Sequence, residues 1–165
     1  MLLAPKEFRD IEYIVPRAFF EQRNLEVVTT STEFESVGSF GYEVHHDLLL
    51  DEVEVDDYDG VFMVGGSGSL NFIENETAKH LITQFHEAGK PVGAICAAPR
   101  NLLHWGLLVD KKCTGHNWDQ AMDRLATEHG ATYTGEPVVV DSDILTAYGP
   151  EAAEQAAVEF IGMFG

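Results

Sequence analysis

With 165 residues, 45% of them hydrophobic and 23% charged, the chain has the size and composition of one soluble globular domain with a continuous core. A formal net charge of −18 argues against nucleic acid and anionic membrane as partners, because both recruit cationic surface; it suits an acidic surface kept for solubility or for high salt. No apolar run is long enough to span a bilayer, no secretory leader is read, and two cysteines make no disulfide framework, so a cytoplasmic location is expected.

The order of predicted elements is alternating, which favours an α/β fold with a mostly parallel sheet. Residues 1–4 read as a first strand. From Ile11, apolar residues recur at Ile14, Val15, Ala18 and Phe19 as a helical stripe, inside which Pro16 should either start the regular helix or kink it. "LEVVTTS" (25–31) reads as a buried strand, and "SVGSFGYEVHHD" as a short hairpin with Gly38 and Gly41 at its turn. "DGVFMVGG" (59–66) is a core strand running into glycines. The helix after it puts Ala78, Leu81, Ile82 and Phe85 on one face and stops at Gly89. "PVGAIC" is the next core strand and "AAPRNLLHW" the following helix, ending near Gly106. A short strand around Cys113, a helix over 119–128, a hairpin turning at 141–143 and a final helix led by Pro150 complete one domain, 1–165.

Cys96 falls where a core strand turns into a helix. Such a corner lies above the carboxyl edge of the sheet, where open α/β sheets place ligands and hydrolases place a nucleophile elbow. Ala94, Ala97 and Ala98 are small enough for close packing there, and Pro99 suits a first helical turn. The free N–H groups of that turn are expected to lower the thiol pKa. The pattern alone leaves Cys96 open between an apolar plug and a working thiol, since free cysteine is often simply buried. Cys113 lacks the corner and reads as a buried strand residue.

In "VGGSGS" (64–69) there is no phosphate-loop pattern; Gly66 is either a tight turn or an oxyanion amide. The seven histidines show no metal-ligand spacing, and His116 in "CTGHNWD" is set apart only by following a strand end. Glu12, at the end of the first strand on the same edge as Cys96, is either a solvated first-turn residue or a carboxyl that shares a proton with the thiol.

"AICAAP" around Cys96, "DYDGVFMVGG" before it, Glu12 four residues ahead of Pro16, and the tail "VVVDSDILTAYGPEAAEQAAVEF" together resemble the ThiJ/PfpI superfamily. The resemblance implies a flavodoxin-like three-layer sandwich with a nucleophile elbow at Cys96 in a strained conformation. It implies that Glu12 is a protonated partner of the thiol, that Gly66 and Ala97 supply oxyanion amides, and that His116 lines the pocket. It also implies cofactor-independent, metal-free glyoxalase or deglycase action on a small carbonyl substrate or glycated side chains, in a homodimer. The alternative is a redox sensor oxidised at Cys96; amidase, peptidase or hydratase action ranks lower. Ala97 stands where the protease-like branch has histidine. Ala98 and Tyr148 depart from the glycine and arginine of the other main branch.

Overall fold

Strands that are apolar on both faces need cover on both faces, and the computed structural model, which describes residues 1–164, supplies it with helices on either side of one sheet. The elements run β1 (Lys6–Phe8), α1 (Asp10–Gln22), β2 (Thr30–Ser31), β3 (Glu35–Gly38), β4 (Glu43–His45), β5 (Leu48–Leu49), β6 (Val61–Met63), α2 (Glu76–Glu87), β7 (Val92–Ile95), α3 (Pro99–His104), β8 (Lys112–Cys113), α4 (Met122–Glu128), β9 (Thr132–Tyr133), β10 (Val138–Asp141), β11 (Ile144–Ala147) and α5 (Ala153–Gly162). In the central sheet β10, β11, β7 and β6 lie side by side, parallel except for the β10–β11 hairpin. Leu2 extends this sheet by bridging Met63 and Thr30, and β2 pairs in parallel with β5 beyond it. A smaller sheet, β1–β3–β4, flanks the first, and β8 pairs with β9.

Alternation along the central strands sorts the core into two layers. Val61, Met63, Val92 and Ala94 pack with Ala78, Ile82, Phe85 and Leu102 from α2 and α3. Phe62, Ile95 and Leu145 face the other way, against Phe20 of α1 and Ala156, Ala157 and Phe160 of α5. The α2 stripe and the Gly89 stop (φ +68°) are as predicted, with Asn75 capping the helix by accepting the Ala78 N–H. The 141–143 hairpin and the turn at Gly41 (φ +87°) also stand as read. Among the described residues, no helix is long and apolar enough to cross a membrane.

Four expectations are corrected. The first strand is short: the Leu2 and Leu3 N–H groups bond to Phe62 and Thr30, but Pro5 has no N–H to donate and the chain then crosses to the smaller sheet. Within 25–31 only Thr30 and Ser31 form a ladder; Leu25, Val27 and Val28 are half-buried along a cavity wall. Helix α1 holds Pro16 in its interior rather than at its start, and it is rotated from its apolar stripe. Glu12, Tyr13, Pro16 and Phe20 point inward, leaving Ile11 and Ile14 exposed. The helix expected from residue 119 begins at Met122, because Asp119 accepts the Ala121 N–H and Asn117 accepts that of Met122, closing a turn first.

Candidate active site

At the end of β7 the backbone reverses through Cys96, whose φ is +63°. A residue with a Cβ pays about 1–3 kcal/mol for such a conformation and keeps it only where neighbours enforce it. Here both main-chain groups are committed: the Cys96 N–H donates to Ala147 O at 2.9 Å, and its carbonyl accepts the His116 N–H at 2.8 Å. The Ala98 N–H closes the turn on Ile95 O, and Pro99 opens α3 where no amide is lost. The side chain therefore leaves the strand end half-buried, while Cys113 is fully buried.

Glu12, in the first turn of α1, is completely buried. Its carboxyl faces the Cys96 thiol and the Gly65 N–H, in reach of both, though neither oxygen closes a hydrogen bond of full geometry. Gly65 makes this approach possible. A Cβ there would stand 2.4 Å from Glu12 Oε2 and 2.7 Å from Cys96 Cβ. Gly66 is equally constrained, with φ +100° and a hypothetical Cβ 2.3 Å from Glu7 O and 2.5 Å from Arg9 N. Its N–H and that of Ala97 lie on the side of the Cys96 sulfur and favour the thiolate.

Burial pushes the Glu12 pKa up to about 8, against the opposing pull of the thiol hydrogen bond, Arg9 and the Gly65 amide; Glu151 adds to the rise. The rise favours the protonated carboxyl at neutral pH. For Cys96 the expected lowering is reversed: burial first, then the Glu12 charge and hydrogen bond, push the thiol up to about 12, outweighing the Gly66 and Ala97 amides. The two rises are linked. While Glu12 keeps the proton, its negative charge no longer opposes a thiolate, and the two amides still face the sulfur.

His116 is half-buried at the rim and tied to Cys96 through its main chain. Its ring stacks on Trp118 (5.5 Å between centroids, 24°) and tilts against Tyr148 (5.4 Å). Cys96, Glu12, Gly66 and Ala97 thus meet at one point, with His116 at the edge. Arg9, Glu151 and the Trp118 stack carry no signal in the sequence, whereas Gly65 stands beside Gly66 in the glycine pair that the sequence displays. Among the described residues, no three His, Cys, Asp or Glu side chains converge to hold a metal ion. A cavity of about 370 Å³ lined by Phe20, Val27, Tyr58, Phe62 and Phe160 contains none of the site residues.

The chain as a whole is similar to a set of known proteins. The model of the DJ-1/PfpI family matches residues 1–163. The chain is 36% identical to an uncharacterized protein of Methanocaldococcus jannaschii (98% of this chain, 79% of the relative). It is 30% identical to Deglycase PfpI of Pyrococcus furiosus (91% and 89%). It is 26% identical to the glutathione-independent glyoxalase DJR-1.2 of Caenorhabditis elegans (98% and 85%). A ThiJ/PfpI domain protein from Brachyspira murdochii, 25% identical, superposes with a TM-score of 0.92 over 98% of this chain and 92% of its own.

Proposed function

We propose that this chain, which belongs to the DJ-1/PfpI family, is a cysteine-dependent enzyme acting on reactive carbonyls, with methylglyoxal to lactate as its model reaction. The observation that carries the reading is a fully buried carboxyl, Glu12, set against a thiol on a strained elbow, with burial raising the carboxyl's pKa. A deglycase and a glyoxalase among the relatives support the same substrate class, small carbonyls or glycated side chains.

In this reading the Cys96 thiol adds to the aldehyde carbon: the S–C bond forms, the thiol proton passes to the carbonyl oxygen by way of Glu12, and the oxygen of the resulting hemithioacetal faces the Gly66 and Ala97 amides. Glu12 gives up its proton to the carbonyl side and takes one back, so that hydrogen moves from the aldehyde carbon to its neighbour; His116 assists from the rim. The result is a thioester of a 2-hydroxy acid. Water cleaves it, releasing lactate and restoring the thiol, so that the sum is methylglyoxal plus water to lactic acid with no external oxidant. Ala97 in place of histidine beside the nucleophile counts against peptidase action. A homodimer is part of the proposal: exposed Ile11, Ile14, Phe40 and Tyr42 surround the start of α1, where Asp10 ties the helix to the β3–β4 turn.

The test is conversion of methylglyoxal to lactate by purified protein, with Cys96→Ala and Glu12→Ala each expected to abolish it. Unchanged turnover in Cys96→Ala would rule the mechanism out. A second reading, a sensor oxidised to sulfinate at Cys96, is favoured by the half-exposed thiol beside two amides while Cys113 is sealed. Mild peroxide should then add two oxygens at Cys96 alone, and preferential oxidation of Cys113 would refute it.

A further inference from the structure

The segment after β8 carries His116 and Trp118 over the same edge as Cys96, and one buried cation holds it. Arg100 lies in the first turn of α3, just beyond the elbow, with its side chain only 9% exposed. Its Nη1 and Nη2 donate to Asp119 Oδ2 and Oδ1 at 2.8 and 2.7 Å, a bidentate fork. Nη2 also donates to the His116 carbonyl at 3.2 Å, and the guanidinium carbon lies 4.1 Å over the Trp118 ring. Trp118 stacks in turn on the His116 ring. Residues 116, 118 and 119 therefore converge on one guanidinium.

Trp118 itself is about half exposed, so little apolar burial anchors it. The other ion pairs among the described residues do not reach this segment; they join Arg17–Glu21, His45–Glu35, His86–Asp143 and Arg124–Glu128. We propose that Arg100 is a positioning residue that clasps the 116–119 segment, so that the His116 and Trp118 rings form one wall of the approach to Cys96 and restrict which carbonyls reach it. The inference rests on the reading of Cys96 as the working thiol, but its wall-forming part is measurable without turnover.

The experiment compares alkylation of Cys96 by iodoacetamide and by a bulky fluorescent maleimide, mapped by peptide mass, in the full chain and in Arg100→Ala, Arg100→Lys and Asp119→Ala. Loss of the clasp should raise the maleimide-to-iodoacetamide rate ratio at least fivefold. Lysine, a single point charge, should restore only part of the selectivity. The Arg100→Ala/Asp119→Ala pair should be no worse than either single change, since both break one unit. Iodide quenching of tryptophan emission should increase alongside. Asp119→Ala, at a partly exposed carboxylate, guards against an Arg100 variant that fails to fold. A ratio within twofold of the parent in a folded variant overturns the proposal, whether or not quenching changes. If the parent converts no carbonyl yet the ratio shifts as expected, the enzymatic reading falls and the clasp stands.

Discussion

Replacing Glu12 by glutamine separates the chemistry of the site from its cost to the fold. Glutamine keeps the shape of the carboxyl but cannot ionise. In the unfolded chain Glu12 titrates near 4.5, and in the folded chain near 8. Between those values the native state holds a proton that the unfolded state has lost, so stability falls as pH rises, by about 1.4 kcal/mol per pH unit. Below that window both states are protonated and the penalty vanishes; above it both are ionised and the penalty is constant. The difference in unfolding free energy between Glu12→Gln and the parent should therefore grow in favour of the variant by on the order of 4 kcal/mol from pH 5 to pH 8. Other titrating groups, such as His46, whose pKa burial lowers to about 4, are shared by the two proteins and cancel in the difference. Urea unfolding followed by circular dichroism at half-unit steps measures it. The same variant should lose at least about a hundredfold in carbonyl turnover, since a proton relay is removed. Parallel stability curves across this range would refute the reasoning, because Glu12 would then not be held protonated by the fold.

Three further outcomes follow from backbone geometry. Cys96→Gly should be more stable than Cys96→Ala by about 1 kcal/mol in chemical denaturation, since glycine removes the penalty of φ +63° and alanine keeps it. Gly66→Ala should destabilise by on the order of 3 kcal/mol and abolish turnover, because its Cβ would collide with the Glu7 carbonyl and Arg9 amide at a positive φ. Gly38→Ala should cost about 1–3 kcal/mol in the same assay, as its Cβ would fall 2.5 Å from the Asp10 carboxyl that caps the Phe40 and Tyr42 N–H groups.

What could be read from the sequence follows from how local each signal is. The β6 and β7 strands and α2 were legible because runs such as "VFMV" and the spacing of Ala78, Leu81, Ile82 and Phe85 need no partner to be recognised. Helix α1 misled for a reason tied to the site: a carboxyl occupies a core position, so the apolar stripe through Ile11 and Ile14 points the wrong way. The corner at Cys96 was visible, but the sign of its pKa shift was not. That sign depends on how deeply Glu12 and the thiol are jointly buried, and burial is a tertiary quantity. Arg100 and Asp119 stand 19 residues apart with no local pattern joining them; only folding brings them to 2.7 Å.

The two main-chain bonds that hold Cys96 also set when the thiol can become unusual. One partner, His116, follows it in the chain, and the other, Ala147, comes later still, at the end of β11. During synthesis, a nascent chain that has exposed Cys96 but not yet β11 has nothing to hold the elbow in its left-handed turn. At that stage the residue is an ordinary cysteine on a flexible segment. The strained elbow is completed late, after most of the sheet around it has been made, and the pairing of the thiol with Glu12 is a property of the finished fold alone.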